Sequence, residues 1–189
     1  VFQVREMIKN KRTFAVDVDL SKFFDRVNHD LLMTKLSAKV HSKPLLRLIG
    51  KYLRAGVMVN GKLLANAEGV PQGGPLSPLL SNIMLDSLDK ELESRGHQFA
   101  RYADDFIILV KSKRAGYRVL TSITRYLATK LKLIVNEQKS QVVKVSQSKF
   151  LGFTFNRGKL LWHAKTVYLF KQKIRRLTNR NWGVSMGYQ

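Results

Sequence analysis

The sequence predicts an α+β fold, strands and helices mixed along one chain, on three observations. Residues 97–110 read as a buried β-hairpin interrupted by two adjacent acidic residues, Asp104 and Asp105. Residues 13–20 alternate apolar with small or acidic side chains at the period of a strand. The stretches between them carry capping residues and apolar positions at helical spacing. At 189 residues, 44% of them hydrophobic, the chain can bury one good-sized core.

Taken in order, residues 2–10 read as the end of a helix entering the fold. In the first strand Phe14, Val16 and Val18 share one face, and Ala15, Asp17 and Asp19 share the other. Aspartate is depleted in strands, so two on one face near a strand end need a reason, either a wet edge or a metal. Ser21-Lys22-Phe23-Phe24-Asp25 then brings two aromatic rings within five residues of Asp19. Asn28 or Asp30 caps a helix reaching about Lys39, and Ser42 with Pro44 begins another that ends near Gly56. Residues 57–64 form a short hairpin signal, since Asn60-Gly61 suits a type I′ turn.

The segment Gly69-Val70-Pro71-Gln72-Gly73-Gly74 is too rich in glycine and proline for regular structure. Its glycines let backbone amides approach a ligand closely. Ser77 and Pro78 read as N-cap and first residue of a helix running to about Arg95, stopped by Gly96. Residues 97–103 and 106–110 are the strands of the acidic hairpin. Two carboxylates at its tip repel each other and are desolvated by their neighbours; they are either a solvated turn or a site for a divalent cation. Ser112 caps a helix to about Lys132 whose stripe of Tyr117, Leu120, Ile123, Leu127 and Leu131 reads as core.

The charge is 34 − 13 = +21, which implies a polyanionic partner. After Glu137 no acidic residue follows, while residues 139–180 supply eleven lysines and arginines interleaved with Trp162, Tyr168 and Phe170. That pattern favours a surface tracking a nucleic-acid backbone. No long apolar span argues for a membrane. Zero cysteines exclude disulfides and thiolate metal sites, and the four histidines share no zinc-ligand spacing.

The order of an acidic strand, a Pro71-Gln72-Gly73-Gly74 loop with a Ser77-Pro78-Leu79-Leu80 helix, and a Tyr102-Ala103-Asp104-Asp105 hairpin resembles reverse transcriptases, above all those encoded by bacterial group II introns. Residues 133–143, with Asn136-Glu137-Gln138-Lys139-Ser140, and Phe150-Leu151-Gly152-Phe153-Thr154-Phe155 are similar to the next two family motifs, the latter a hairpin that grips the primer. The resemblance implies a polymerase palm, a small antiparallel sheet backed by helices on one face. It implies an RNA-directed DNA polymerase that adds deoxynucleoside triphosphates to a DNA primer on an RNA template and binds intron RNA. A non-catalytic RNA-binding maturase module is the alternative, as are retron, diversity-generating and CRISPR-associated reverse transcriptases.

For the site, the resemblance implies two Mg²⁺ ions about 4 Å apart, with Asp19, Asp104 and Asp105 converging as ligands and catalytic residues. Asp17 sits on the same face but set back. The carbonyl of Val18 or Leu20 stands as a further ligand, with the choice left open. Phe24 is similar to the sugar-facing aromatic that excludes a ribose 2′-hydroxyl, Gln72 to the residue against the incoming nucleotide, and Lys139 to the lysine near the leaving pyrophosphate. Residues 1–160 read as palm with trailing fingers residues, and 161–189 as the start of a thumb or maturase domain, so that the chain reads as a fragment without an endonuclease segment. A bacterial cytoplasmic setting follows, with a homodimer left open.

Overall fold

The computed structural model describes residues 2–9, 12–59, 62–64, 68–71, 74–156 and 159–179. The elements in chain order are α1 (Phe2–Lys9), β1 (Phe14–Val18), α2 (His29–Ser37), α3 (Lys43–Arg54), β2 (Val57–Val59), β3 (Lys62–Leu64), α4 (Ser77–Ser94), β4 (Gln98–Tyr102), β5 (Asp105–Val110), α5 (Lys113–Tyr126), β6 (Gln141–Lys144), β7 (Phe153–Asn156), β8 (Lys159–Trp162) and α6 (Ala164–Leu177). A four-stranded antiparallel sheet has the order β4-β5-β1-β6, and β2-β3 and β7-β8 form separate hairpins. This is the mixed α+β architecture that the sequence predicts.

The large core lies on one face of the sheet. Leu80, Met84, Leu88 and Leu92 recur along α4 at helical spacing and pack with Val16, Val18, Phe106, Ile108 and Val110. The other face is also covered: Val4 and Met7 of α1, with Val145, Phe150 and Phe155, enclose Ala15, Ala100, Ile107 and Leu109. Cover on both faces accounts for the unbroken apolar run of β5, since alternation is needed only where one face meets water.

The helix ends follow local chemistry. Asn28, rather than Asp30, caps α2 by accepting from the Leu31 amide at 2.9 Å. Ser42 and Ser112 cap α3 and α5 as expected. Ser77 does not act as a cap. Leu76 is the N-cap residue of α4, with no side-chain cap bond, while the buried Ser77 hydroxyl donates to the Pro71 carbonyl and ties the preceding loop to the helix. At its other end α4 closes with Gly96 at φ +67°, the Gly96 amide donating to Glu93 and the His97 amide to Leu92, the paired bonds of a Schellman ending.

On α5 Ile123 is buried and Leu120 partly buried, and Leu127 just beyond it is buried, but Tyr117 lies in solvent under the Lys113 ammonium. Gly116 takes the core-facing position instead, and a Cβ there would stand 2.4 Å from Val142 Cγ1. The close approach of α5 to β6 centres the buried stripe one residue before Tyr117. After Tyr126 the helix widens into a π-turn over Leu127–Leu131 and stops at Lys132, which has a left-handed φ. The Asn60-Gly61 turn lies outside the described residues.

Gly69 joins the α4 loop to the short helical turn Phe23–Asp25. Its amide donates to Val27 at 2.8 Å, the Val70 amide donates to Phe24 at 2.6 Å, and His29 Nε2 lies 2.6 Å from the Gly69 carbonyl. Its φ is +90°, and a Cβ would meet the Phe24 and Asp25 carbonyl oxygens at 2.8 and 2.9 Å. Gly96 has a similar φ with nothing near. Gly69→Ala therefore costs roughly 2–4 kcal/mol, backbone strain plus collision, against about 1 kcal/mol for Gly96→Ala. Denaturant unfolding of the two variants checks this; equal losses would show that Gly69 is not packed as described.

Candidate active site

The register of β1 against β5 places the acidic residues. Val18 pairs with Phe106 and Asp17 with Ile107. Continuing that register by one residue sets Asp19 opposite Asp105, with Asp17 the diagonal neighbour on the same face. Like charges directly across a strand pair destabilise a sheet, so this end of the hairpin carries an electrostatic cost.

The chain beyond β1 is held by the segment before β6. The Asp19 amide donates to Ser140 Oγ at 3.0 Å, the Asn136 amide donates to the Asp19 carbonyl at 2.8 Å, and Leu20 bridges Val135. The same segment brings Lys139 Nζ to 3.9 Å from Asp19 Oδ2, both side chains substantially exposed. Asp17, Val18, Asp19, Asp104, Asp105, and Lys139 all line one cleft of about 590 Å³, joined by Gln141, Lys149 and the turn at Leu151 and Gly152. Leu20 is buried instead.

Burial, then the neighbouring Asp105 and Asp19 charges, push the Asp17 carboxyl up to about 6, against a hydrogen bond from the Gln141 side chain and the more distant Lys149. Asp105 is also raised, first by burial and then by Asp104, while Lys149 and the Leu151 amide oppose the shift. Four aspartates line the cleft with Lys139 and Lys149, and desolvation is the main reason that Asp17 and Asp105 are raised. Among the described residues, no three His, Cys, Asp or Glu side chains form a ready-made metal cage. Hard ions such as Mg²⁺ take one or two carboxylates and complete their shell with water and substrate phosphates. The carboxylate oxygens of Asp17, Asp19, Asp104 and Asp105 fit such an ion.

Asp104 and Asp105 are presented by a tight turn. Tyr102 pairs with Asp105, so that only Ala103 and Asp104 make the connection, and Ala103 has φ +54°. Arg101 donates from Nε to Asp89 Oδ1 at 2.8 Å and from Nη2 to Asp89 Oδ2, and Nη1 reaches Asn82 Oδ1 at 2.8 Å and the Ala103 carbonyl at 2.9 Å. Sequence reasoning missed this cluster because Asn82 and Asp89 lie on a helix upstream and share no motif with Arg101. Lys149 likewise carries no sequence signal; only the fold turns it toward Asp17 and Asp105.

Phe23 and Phe24 take different surroundings. Phe23 is 2% exposed in the main core, while Phe24 packs edge-on against it with ring centroids 5.3 Å apart. Phe24 is partly buried and lines a second cavity of about 770 Å³ with Pro78, Asn82, Phe99, Arg101 and Ala103. It does not line the carboxylate cleft; the Ala103–Asp104 turn lies between the two, one residue lining each. Gln72 lies outside the described residues.

A family profile described as reverse transcriptase (RNA-dependent DNA polymerase) matches residues 3–155. Protein YkfC of Escherichia coli (strain K12) is 30% identical over 193 residues, covering 84% of this chain and 50% of that protein. Group II intron-encoded protein LtrA of Lactococcus lactis subsp. cremoris is 32% identical over 134 residues, covering 71% of this chain and 21% of that protein. The chain thus spans half the length of one relative and about a fifth of the other. Apo telomerase from Candida tropicalis, truncated from its C-terminal domain, superposes with a TM-score of 0.66 at 17% identity over 86% of this chain and 38% of that one, a likeness of fold. With its two-faced sheet, its carboxylate-lined cleft and a family match over most of its length, the chain belongs to the reverse transcriptase (RNA-dependent DNA polymerase) family.

Proposed function

We propose that this chain is the palm of a group II intron-encoded reverse transcriptase, which extends a DNA primer on an RNA template and also binds its intron RNA. The observation that carries the reading is the meeting of Asp19 with the Asp104–Asp105 turn in one cleft, from segments 85 residues apart, with burial and like charge raising Asp17 and Asp105. Reverse transcriptases use divalent metal ions. In this reading Asp19, Asp104 and Asp105 hold two Mg²⁺ ions, with Val18, which lines the same cleft, offering its carbonyl as a further ligand. When bound, the ions supply positive charge at the attacking and leaving oxygens.

The chain's own residues bind and orient. Phe24 gives a flat apolar wall beneath the sugar, where an added hydroxyl has neither room nor partner. Lys139, near Asp19, carries a cation toward the leaving pyrophosphate. Gln72 lies against the incoming nucleotide, a role resting on the family motif alone. Residues 161–189 begin the thumb or maturase domain, in keeping with α6, which buries none of its side chains. Among the described residues no helix is long and apolar enough to cross a membrane, and a bacterial cytoplasmic setting belongs to the same reading.

The net charge of +21 supports the RNA-binding part independently of catalysis. RNA affinity of this chain therefore falls steeply between about 50 and 200 mM salt, as fluorescence anisotropy measures; salt-insensitive binding would remove the electrostatic basis. In the natural protein that contains this sequence, Asp104→Asn brings primer extension to background while RNA affinity stays within about threefold, or ~0.7 kcal/mol. Undiminished extension would reject the ligand assignment. Phe24→Val raises ribonucleotide incorporation relative to deoxynucleotide by at least about tenfold, or ~1.4 kcal/mol. Phe23→Ala instead costs about 3–5 kcal/mol of stability through a core cavity. Misincorporation that rises only with Phe23→Ala would show the two rings reversed.

A further inference from the structure

The geometry points to Arg101 as a positioning residue: held by Asp89 and Asn82 of α4, its guanidinium fixes the backbone turn from which Asp104 and Asp105 project. The inference rests on the role proposed above for those carboxylates.

Three features separate this arrangement from an ordinary cross-link between a strand and a helix. First, all three guanidinium nitrogens are engaged. Two of its nitrogens fork onto Asp89 and the third is shared between Asn82 Oδ1 and the Ala103 carbonyl, with the Arg101 side chain only 11% exposed. A planar fork can meet three partners at once, whereas an ammonium cannot reproduce that geometry. Second, Asn82 and Asp89 stand seven residues apart on α4, two helical turns, and so present one face. Third, the bond falls on the strained residue. Ala103 is a non-glycine at φ +54°, a conformation that persists only where its surroundings hold it. Because Tyr102 pairs with Asp105, gripping the Ala103 carbonyl leaves Asp104 little freedom of its own.

The consequence is mechanical. The α4 helix carries the Pro71 loop at its N-terminus through Ser77 and the acidic turn at its middle through Arg101. The orientation of the carboxylates is thereby referred to the same helix that Ser77 ties to Pro71.

The test uses the natural protein that contains this sequence, with Arg101→Lys and Asn82→Ala as variants. Asn82→Ala removes one contact and keeps the Arg101–Asp89 pair, so it remains informative if Arg101→Lys folds poorly. The readouts are amide hydrogen exchange at residues 103–105, Mn²⁺ affinity by electron paramagnetic resonance, thermal midpoint, and single-turnover primer extension. Arg101→Lys speeds exchange at the turn and weakens Mn²⁺ binding by about tenfold, as loss of a group that orients metal ligands does, with RNA affinity unchanged. Asn82→Ala shifts both in the same direction, by less, at an unchanged thermal midpoint. Unchanged exchange at the turn in Asn82→Ala and in folded Arg101→Lys overturns the assignment, and so does a loss of extension that merely tracks the thermal midpoint. If the wild type binds no Mn²⁺ by itself, the exchange rates alone decide. If it binds Mn²⁺ but extends no primer, the polymerase reading fails, while the exchange and affinity shifts still decide the role of Arg101.

Discussion

The pairing of β1 with β5 is the constraint on which the rest of this structure depends. Its register, Phe14 against Val110 through Val18 against Phe106, leads directly from two buried apolar strands to two facing acidic ends. A slip of one residue would turn Asp17 and Asp19 to the face that packs on α4 and send Val16 and Val18 the other way. Burial on both faces forbids the slip: Val16 and Val18 belong to the large core, and Ala15 with Ile107 and Leu109 to the smaller one. Hydrophobic packing along the strands thus sets the geometry of charges at their end.

That geometry is costly without a counter-ion. Asp17 is partly buried and Asp105 lies at the more open end of β5, both among like charges, and their carboxyls are raised. The neighbourhood offsets this only in part, through the Gln141 side chain, the Lys149 ammonium and the Leu151 amide. They come from two later segments, β6 and the stretch before β7, so residues beyond 140 complete a site that β1 and the β4–β5 turn begin. A domain that needed the hairpin only for stability would do better with one neutral side chain at Asp17, and the crowding of carboxylates is what the hard cation proposed for this cleft would offset.

The same division of labour separates the two neighbouring phenylalanines. Phe23 is packed into the core, and its ring supports Phe24 edge-on. Val70 and Gly69 hold the backbone of the Phe23–Asp25 turn, and the buried His29 holds Gly69. Phe24 is therefore a partly exposed ring on a tightly fixed backbone, as the sugar-facing role proposed for it requires.

The sequence by itself determined most of the strands and helices before β6, most of the caps, the acidic pair and the family, because these rest on local periodicity, on turn chemistry and on contiguous motifs. It singled out Asp19, Asp104, Asp105 and Phe24 by type and position. It misassigned Ser77, whose hydroxyl bonds the loop rather than the helix, and Tyr117, displaced from the core when Gly116 brought α5 against β6. Only the tertiary structure decided that Asp17 shares the cleft under the influence of Asp105, that Lys149 faces both, and that Arg101 reaches from the acidic turn to Asn82 and Asp89. These contacts join residues far apart in the chain, and their strength depends on distance and burial, which exist only after the sheet has paired and α4 has packed against it.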